Sequence, residues 1–258
     1  MAGFRERGTD PIDLRAVPHP AVTLVLEFGD GPLVVDDASG RQQRGNLVAR
    51  LAFDAVRVRG ENVECVQVRL SPVVAYAVLG APSAGLDHAL VALDDLWGRE
   101  ALRLGEQLGA ARSWESRFAL TDALLARRRE SGPSVDPEVA WAWDRITVSR
   151  GRIRIDDLAV EVGWSRKRLW SRFRSQIGLP PKRAAKLVRF DHAVHRLARG
   201  EDAAGVAAEG GYVDQSHLHR DVQAFSGVTP GTVAGEPWLA VDEIAWGTFV
   251  QDPRRSGT

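Results

Sequence analysis

The chain has 258 residues, with 34 Lys or Arg balanced by 34 Asp or Glu, and 44% of its residues are hydrophobic. This length allows two domains with separate cores, and the composition excludes a disordered or fibrous protein. Cys65 is the single cysteine, which excludes an internal disulfide and a multi-cysteine zinc site, so we expect a buried packing role for it. Because no long uncharged apolar run and no signal-peptide core are present, we expect a cytoplasmic protein that does not enter a membrane.

The first part of the chain has the pattern of a small β domain. Short apolar segments alternate with turns rich in Gly, Asp and Asn, and the segments are 22–28, 33–35, 47–53 and 63–70. This spacing predicts an antiparallel sheet or an open barrel. Pro72 stands where a first-turn proline starts a helix, so we predict a buried helix directly after the strands.

From residue 89 to 129 the apolar residues follow a helical period instead. We therefore predict that residues 1–130 form an α+β domain. The apolar side chains at the end of this stretch serve either a dimer interface or the core of the domain, and they are Phe118, Leu120, Leu124 and Leu125. Residues 131–137 are polar and contain Gly and Pro, which predicts a linker.

Positive charge is concentrated in one stretch of this neutral chain. Residues 145–189 contain thirteen Lys or Arg and three acids, which are Asp156, Asp157 and Glu161. A local basic patch is what phosphate neutralisation requires, and a neutral total charge does not argue against it. This stretch is therefore the candidate nucleic-acid surface.

Within the basic stretch, residues 156–177 read as a helix-turn-helix. We predict that Asp156 or Asp157 caps a short helix, that Gly163 makes the turn, and that Ser165 caps a second helix. On a helical wheel the inward residues of the second helix are Leu169, Phe173 and Ile177. The opposite face and its flanks hold the candidate DNA contacts, which are Arg166, Lys167, Arg168, Trp170, Ser171, Arg172 and Arg174 together with Ser165.

Two alternatives accompany this first helix-turn-helix. A basic helix can be a solvated face that contacts nothing, although the glycine turn, the cap and the apolar positions argue against that here. Trp170 can either contact bases or pack on a neighbouring helix.

A second, diverged helix-turn-helix follows a long helix predicted over 182–198 and ended by Gly200. Its leading helix is predicted over 203–208, and Asp214 is the predicted cap of its recognition helix. Leu218, Val222 and Phe225 are expected to face inward. The outward candidates for DNA contact are Asp214, Gln215, Ser216, His219, Arg220 and Gln223. Because this helix is less basic, we expect the first unit to dominate affinity and the second to refine sequence choice. His217 and His219 point in different directions on a helix, so we expect no metal there.

These residues resemble the AraC/XylS family of bacterial transcriptional regulators over about residues 139–233. The resemblance rests on Leu158-Ala159, Gly163-Trp164-Ser165, Leu169, Phe173, Gly178-Leu179-Pro180-Pro181, Arg189, Ala193, Leu197, Gly211-Tyr212, Asp214-Gln215-Ser216-His217-Leu218, Arg220, Phe225 and Gly227-Val228-Thr229-Pro230. It implies that residues 138–235 form an all-α domain, in which two helix-turn-helix units joined by a linker helix enter adjacent major grooves. Ser171, where the family often has arginine, and Asp221 and Val222 depart from the pattern, which leaves the target sequence open.

Residues 91–98 resemble the effector or dimerisation domains that accompany such DNA-binding domains in actinobacterial members, and these domains typically have a cupin-like sheet followed by helices. The resemblance implies this role for residues 1–130. A cupin enzyme needs clustered histidines, and this part of the chain has only His19 and His88, so we expect no metal, no cofactor and no enzyme. A tail over 236–258 completes the predicted architecture.

The sequence therefore predicts a sequence-specific transcriptional regulator that binds double-stranded DNA. RNA polymerase, a small-molecule effector and a second copy of the chain are further candidate partners. The alternative is a small-molecule sensor or degenerate enzyme in the N-terminal domain, with DNA binding secondary. Its pocket would be lined by the apolar strands and by Trp97 or Trp114, although residues of this kind more often belong to a core.

Overall fold

The computed structural model describes residues 1–5, 11–80 and 89–235. The predictions for His88 and for the tail over 236–258 lie outside these described residues. A β domain with helices on one side comes first, and a helical domain follows. No helix in the described ranges is long and apolar enough to cross a membrane.

Nine strands of the described residues form two antiparallel sheets. In chain order they are β1 (Ala2–Arg5), β2 (Ile12–Ala16), β3 (Val22–Glu27), β4 (Leu33–Asp36), β5 (Gln42–Arg44), β6 (Leu47–Ala49), β7 (Val56–Gly60), β8 (Glu64–Leu70) and β9 (Leu90–Ala92). One sheet has the order β1-β8-β3-β6-β9 and the other β2-β7-β4-β5. The predicted antiparallel β domain is confirmed.

Alternation along β3 explains why the larger sheet is covered on both faces. Val22, Leu24 and Leu26 pack with the helices, whereas Val25 packs into a core that it shares with the smaller sheet. Cys65 is buried in that second core, as predicted, and burial raises the pKa of its thiol to about 12.

Strand β9 lies in the stretch that the sequence assigns to helix. Its residues pair with β6, where Leu47 is opposite Ala92 and Ala49 is opposite Leu90. A short continuous apolar run has no periodicity that separates a buried strand from a helix, so the prediction was wrong at these three positions. Strands β1 and β2 precede the predicted sheet and were missed.

Four helices cover the larger sheet, and they are α1 (Pro72–Leu79), α2 (Leu93–Trp97), α3 (Arg99–Ala110) and α4 (Trp114–Ser131). The predicted start of α1 is confirmed, since Pro72 is in the first turn and Ser71 Oγ accepts a hydrogen bond from Val74 N. Leu124 and Leu125 are buried against the sheet, and Phe118 and Leu120 are partly buried there. These four side chains therefore contribute to the core of their own domain.

The helical domain contains α5 (Pro137–Val148), α6 (Ile155–Glu161), α7 (Arg166–Ile177), α8 (Pro181–Ala198), α9 (Ala203–Glu209), α10 (Gln215–Ser226) and a short 3-10 helix (Pro230–Gly235). A single apolar cluster joins these helices, with Phe173, Phe190 and Phe225 among its largest buried side chains. Helix α8 runs through this cluster and carries eleven buried residues, so it is the central support of the domain.

The two domains are in contact. Val17 is buried in the helical cluster, and Leu51, Phe53 and Val73 pack against it from the β domain. The ring of Phe53 lies 5.4 Å from that of Phe225, and helix α1 packs beside α7. The β domain therefore touches both the α7 side and the α10 side of the helical domain.

Candidate nucleic-acid interface

Helices α6 and α7 form the first helix-turn-helix unit, residues 155–177. Gly163 has φ +66°, a left-handed conformation that glycine adopts without strain, and it makes the turn as predicted. The predicted cap of α6 was wrong, because α6 starts at Ile155 and Arg154 stands at its N-cap position. Asp156 and Asp157 lie in the first turn instead, where their negative charges interact favourably with the positive end of the helix dipole.

Helix α7 has the orientation that the sequence predicts. Ser165 Oγ accepts a hydrogen bond from Arg168 N at 3.2 Å, which satisfies a backbone donor at the helix start. Leu169, Phe173 and Ile177 are buried in the core of the domain. This packing turns the opposite face of α7 to the outside.

Every predicted contact residue of the first unit is exposed, and these residues are Ser165, Arg166, Lys167, Arg168, Trp170, Ser171, Arg172 and Arg174. The helix itself carries five Lys or Arg and no acid. Trp170 keeps 47% of its surface exposed, and the guanidinium of Arg174 lies 5.2 Å from the centre of its ring. The aromatic ring is therefore accessible from the same side as the basic groups.

Besides Arg174 with Trp170, the other three of these arginines also have partners in the protein. Arg166 forms an ion pair with Asp156 at 2.6 Å, and Arg168 lies 4.4 Å over the ring of Trp164. Arg172 donates from Nε and Nη2 to the two carboxylate oxygens of Asp136, each at 2.7 Å. These hydrogen bonds hold the pKa of Asp136 below its usual range.

Asp136 was not among the residues predicted for this site. It lies 36 residues from Arg172 in the chain, so no helical spacing connects the two. The available signal was an acidic residue immediately before Pro137, which is a frequent arrangement at a helix start.

Helices α9 and α10 form the second unit, residues 203–226. Gly211, with φ +75°, makes its turn, and Asp214 Oδ1 caps α10 by accepting from His217 N at 2.6 Å. Leu218, Val222 and Phe225 are buried, as predicted. The predicted contact residues are all exposed, and they are Asp214, Gln215, Ser216, His219, Arg220 and Gln223.

Asp221 explains one departure of this unit from the family pattern. Its carboxylate is buried against α8, where Lys186 Nζ is 3.0 Å and Arg189 Nη2 is 3.8 Å away. Asp221 and Val222 therefore fasten α10 to the central helix and do not belong to its outward face.

The two units are joined in two ways. Helix α8 begins at Pro181, one residue before the predicted start, and Gly200, with φ +81°, follows its end. Arg152, in the loop before α6, also donates to the carbonyl of Glu209 at 3.5 Å, and Glu209 is the last residue of α9. Within the described ranges, no group of three or more His, Cys, Asp or Glu could hold a metal ion.

A cavity of about 420 Å³ lies inside the β domain and reaches the helical domain. Its wall is mostly apolar and comes from both sheets, but Asp191 and His195 of α8 also line it. His19 lines it from the loop before β3, where Nδ1 accepts from Ala21 N and Nε2 lies 3.1 Å from Thr23 Oγ1. Neither Trp97 nor Trp114 lines this cavity. Trp97 is buried in the core beneath the helices and Trp114 packs against that core, which is the more common place expected for such residues.

Burial lowers the pKa of His19 to about 3, and the charge of Arg69 lowers it further. The imidazole is therefore neutral at ordinary pH. Because its Nδ1 accepts from a backbone N–H, the proton is on Nε2, and this nitrogen donates to Thr23.

The comparisons with known proteins agree with this architecture. Residues 158–235 match the model of a family described as a helix-turn-helix domain. The structure is similar to that of ToxT from Vibrio cholerae, with a TM-score of 0.52 and 12% identity, over 91% of this chain and 97% of that one. A second ToxT structure, described as wild type with bound unsaturated fatty acid, has a TM-score of 0.47 and 11% identity over 88% and 91% of the two chains.

The C-terminal domain of AraT, a response regulator from Geobacillus stearothermophilus, is similar at 17% identity and a TM-score of 0.37, over 39% of this chain and 86% of that one. No curated protein matches the chain significantly. The likeness to ToxT shows the fold, a cupin-like β domain followed by a helical domain with two helix-turn-helix units.

Proposed function

We propose that the chain, whose residues 158–235 form an AraC-type helix-turn-helix domain, is a sequence-specific DNA-binding transcriptional regulator that acts without a catalytic step. The observation that carries this proposal is the pair of capped helices α7 and α10, each with its apolar face buried and its polar face exposed. Double-stranded DNA is the partner that two such faces on one rigid support would fit.

The two helices would contribute differently to binding. Helix α7 brings five basic side chains, which favours attraction to phosphates and a strong salt dependence. Helix α10 has Arg220 and the amides of Gln215 and Gln223 on its outer face, and amides can pair with adenine edges. We therefore propose that the first unit supplies most of the affinity and the second most of the sequence choice.

The remaining assignments follow from this function. Residues 1–130 would be the regulatory domain, 131–137 the linker and 138–235 the DNA-binding domain. A regulator of this kind acts where the chromosome is, so we place it in the cytoplasm. RNA polymerase and a second copy of the chain are the further protein partners that we propose.

A gel-shift series with the promoter region of its own gene tests the proposal. We expect the double substitution Arg168→Ala and Arg172→Ala to weaken binding and to lower the slope of log affinity against log salt by about 2, or about 1 for each lost phosphate contact. Arg103→Ala with Arg112→Ala removes the same charge from exposed positions of the first domain and serves as the control. Equal affinity and slope for both variants would show that α7 does not bind DNA.

A second function is favoured by the cavity in the β domain. Its volume and its mostly apolar wall with a few polar groups suit a small apolar effector that carries one polar group. Because Asp191 and His195 stand on α8, an effector there would touch the helix that supports both recognition helices. We therefore propose that the regulator is also a small-molecule sensor.

Thermal-shift screening of the full chain tests the sensor proposal. A true effector should raise the melting temperature of the natural chain, because it binds the folded state only. Ala49→Phe places a ring in the cavity and should abolish that shift, whereas Ala110→Phe, at an exposed position on α3, should preserve it. A compound that stabilises all three proteins equally would bind elsewhere.

A further inference from the structure

Asp136 lies at the junction between the linker and the DNA-binding domain. It occupies the N-cap position of α5, where an aspartate usually accepts hydrogen bonds from the first backbone donors of its own helix. Here the carboxylate makes no such bond. Both of its oxygens accept from Arg172 of α7 instead, each at 2.7 Å.

The main chain of Asp136 is hydrogen-bonded to the same helix. Its backbone N–H donates to Gln176 Oε1 at 2.9 Å, and Gln176 is a buried residue one turn after Arg172. Helix α7 therefore holds Asp136 by its main chain and by its side chain. A contact made at two points fixes a direction as well as a distance, so the guanidinium plane of Arg172 has a defined orientation.

The geometry leaves one side of Arg172 available to a ligand. Asp136 takes the Nε–Nη2 edge of the guanidinium, and the fork formed by the N–H groups of Nη1 and Nη2 still points away. The side chain is 49% exposed and stands on the flank of α7, one turn after Arg168. A planar fork of this kind matches a phosphate group.

We propose that Asp136 is a positioning residue for DNA binding, which holds Arg172 so that its free fork faces a backbone phosphate beside the groove that α7 enters. This inference rests on the proposed function. It predicts a change in DNA affinity in the direction opposite to that expected from charge repulsion alone. An acidic side chain near DNA repels phosphates, so removal of a bystander carboxylate strengthens binding, whereas removal of a positioning carboxylate weakens it.

The test uses the full chain and a DNA duplex that the natural protein selects from a random pool, with binding measured by fluorescence anisotropy over a range of NaCl. Asp136→Ala should weaken binding at least about threefold and should lower the salt slope by about 1, because one ordered phosphate contact is lost. The control is Asp144→Ala, which removes the same charge from an exposed position on the same helix. It should leave both quantities unchanged or bind slightly more tightly.

A double-substitution cycle separates positioning from a loss of fold. In a chain that already carries Arg172→Ala, the additional change Asp136→Ala should cause no further weakening. Asp136→Asn keeps the shape and one acceptor oxygen, so it should weaken binding in the same direction but less.

Three results would overturn the inference. They are binding by Asp136→Ala as tight as that of the natural chain, an unchanged salt slope, or equal weakening with and without Arg172. If the natural chain selects no sequence from the pool, the proposed function itself fails. A normal selection followed by normal binding of the Asp136 variants would remove this inference alone.

Discussion

Each recognition helix begins at a single polar side chain whose role can be tested separately. Ser165 accepts from Arg168 N, and Asp214 accepts from His217 N. Both caps were predicted, because a cap depends on residues within one turn and is therefore readable from local sequence.

Ser165→Ala should lower the free energy of unfolding by about 1 kcal/mol, since a backbone donor at the start of α7 loses its partner. Ser171→Ala is the matched control, because Ser171 is exposed inside the same helix and alanine is the better helix former there. Urea unfolding monitored by circular dichroism should show a loss for the first variant only. Equal stability of both variants would mean that the cap contributes nothing.

His19 makes the stability of the protein depend on pH. The pKa of the folded imidazole is about 3 and its ordinary value is 6.5, so between these values the unfolded chain binds a proton that the folded chain excludes. The free energy of unfolding therefore rises with pH through this window. As the pH falls below about 6.5, the free energy of unfolding decreases by at most about 1.4 kcal/mol per pH unit.

His19→Asn should make this pH dependence less steep between pH 6 and pH 4, because the amide oxygen can accept from Ala21 N but carries no titrating proton. Urea unfolding at several pH values measures the two slopes. Parallel curves for the two proteins would show that other groups cause the acid sensitivity.

At the scale of single elements, α10 depends on its attachment to α8. Asp221 is buried and faces Lys186 and Arg189, so its loss would leave two cations of α8 without this carboxylate. Asp221→Ala should lower the free energy of unfolding by about 2 kcal/mol. Asp144→Ala, at an exposed position, should change the free energy of unfolding little. An equally small effect of Asp221→Ala in a urea titration would mean that this carboxylate does not hold α10 on α8.

The recognition helices were predicted more accurately than the strands. The inward positions Leu169, Phe173 and Leu218 follow from helical periodicity, which operates within one element. In contrast, β9 is three apolar residues whose strand state depends on pairing with β6, more than forty positions earlier in the chain. The N-terminal end of α6 was misplaced because two adjacent acids suit a first turn as well as a cap.

The same distinction applies to the candidate site. Every residue predicted to face outward does so, because exposure is decided by the face of the helix. The partner of Arg172 was not predictable, since Asp136 meets it only through the tertiary packing of α5 on α7.

At the scale of the whole molecule, Phe53 connects the two domains. Its ring lies 5.4 Å from Phe225, and the guanidinium of Arg183 is 3.8 Å above it. Phe225 in turn stacks on Phe190 of α8 at 4.3 Å. A side chain of the β domain thus continues the aromatic core of the helical domain.

Phe53→Ala should weaken the coupling between the unfolding of the two domains. We expect a loss of about 2 kcal/mol, less than for a fully buried ring, and a broader or split transition in scanning calorimetry. Phe4→Ala, which removes a ring that is 43% exposed, is the matched control and should keep the natural transition. A single sharp transition for both variants would mean that the two domains still unfold together and that Phe53 is not the side chain that couples them.

The wall of the cavity is shared between the β domain and helix α8, which matters for protein engineering. Sensors are often recombined by exchanging one domain for another at the linker, which here would mean a cut near Gly132. Such a chimera would carry the β sheets without Asp191 and His195, which form part of the cavity wall from α8. If the cavity binds an effector as proposed, a transplanted module would have to include the matching positions of α8, because the cavity wall extends beyond the β domain.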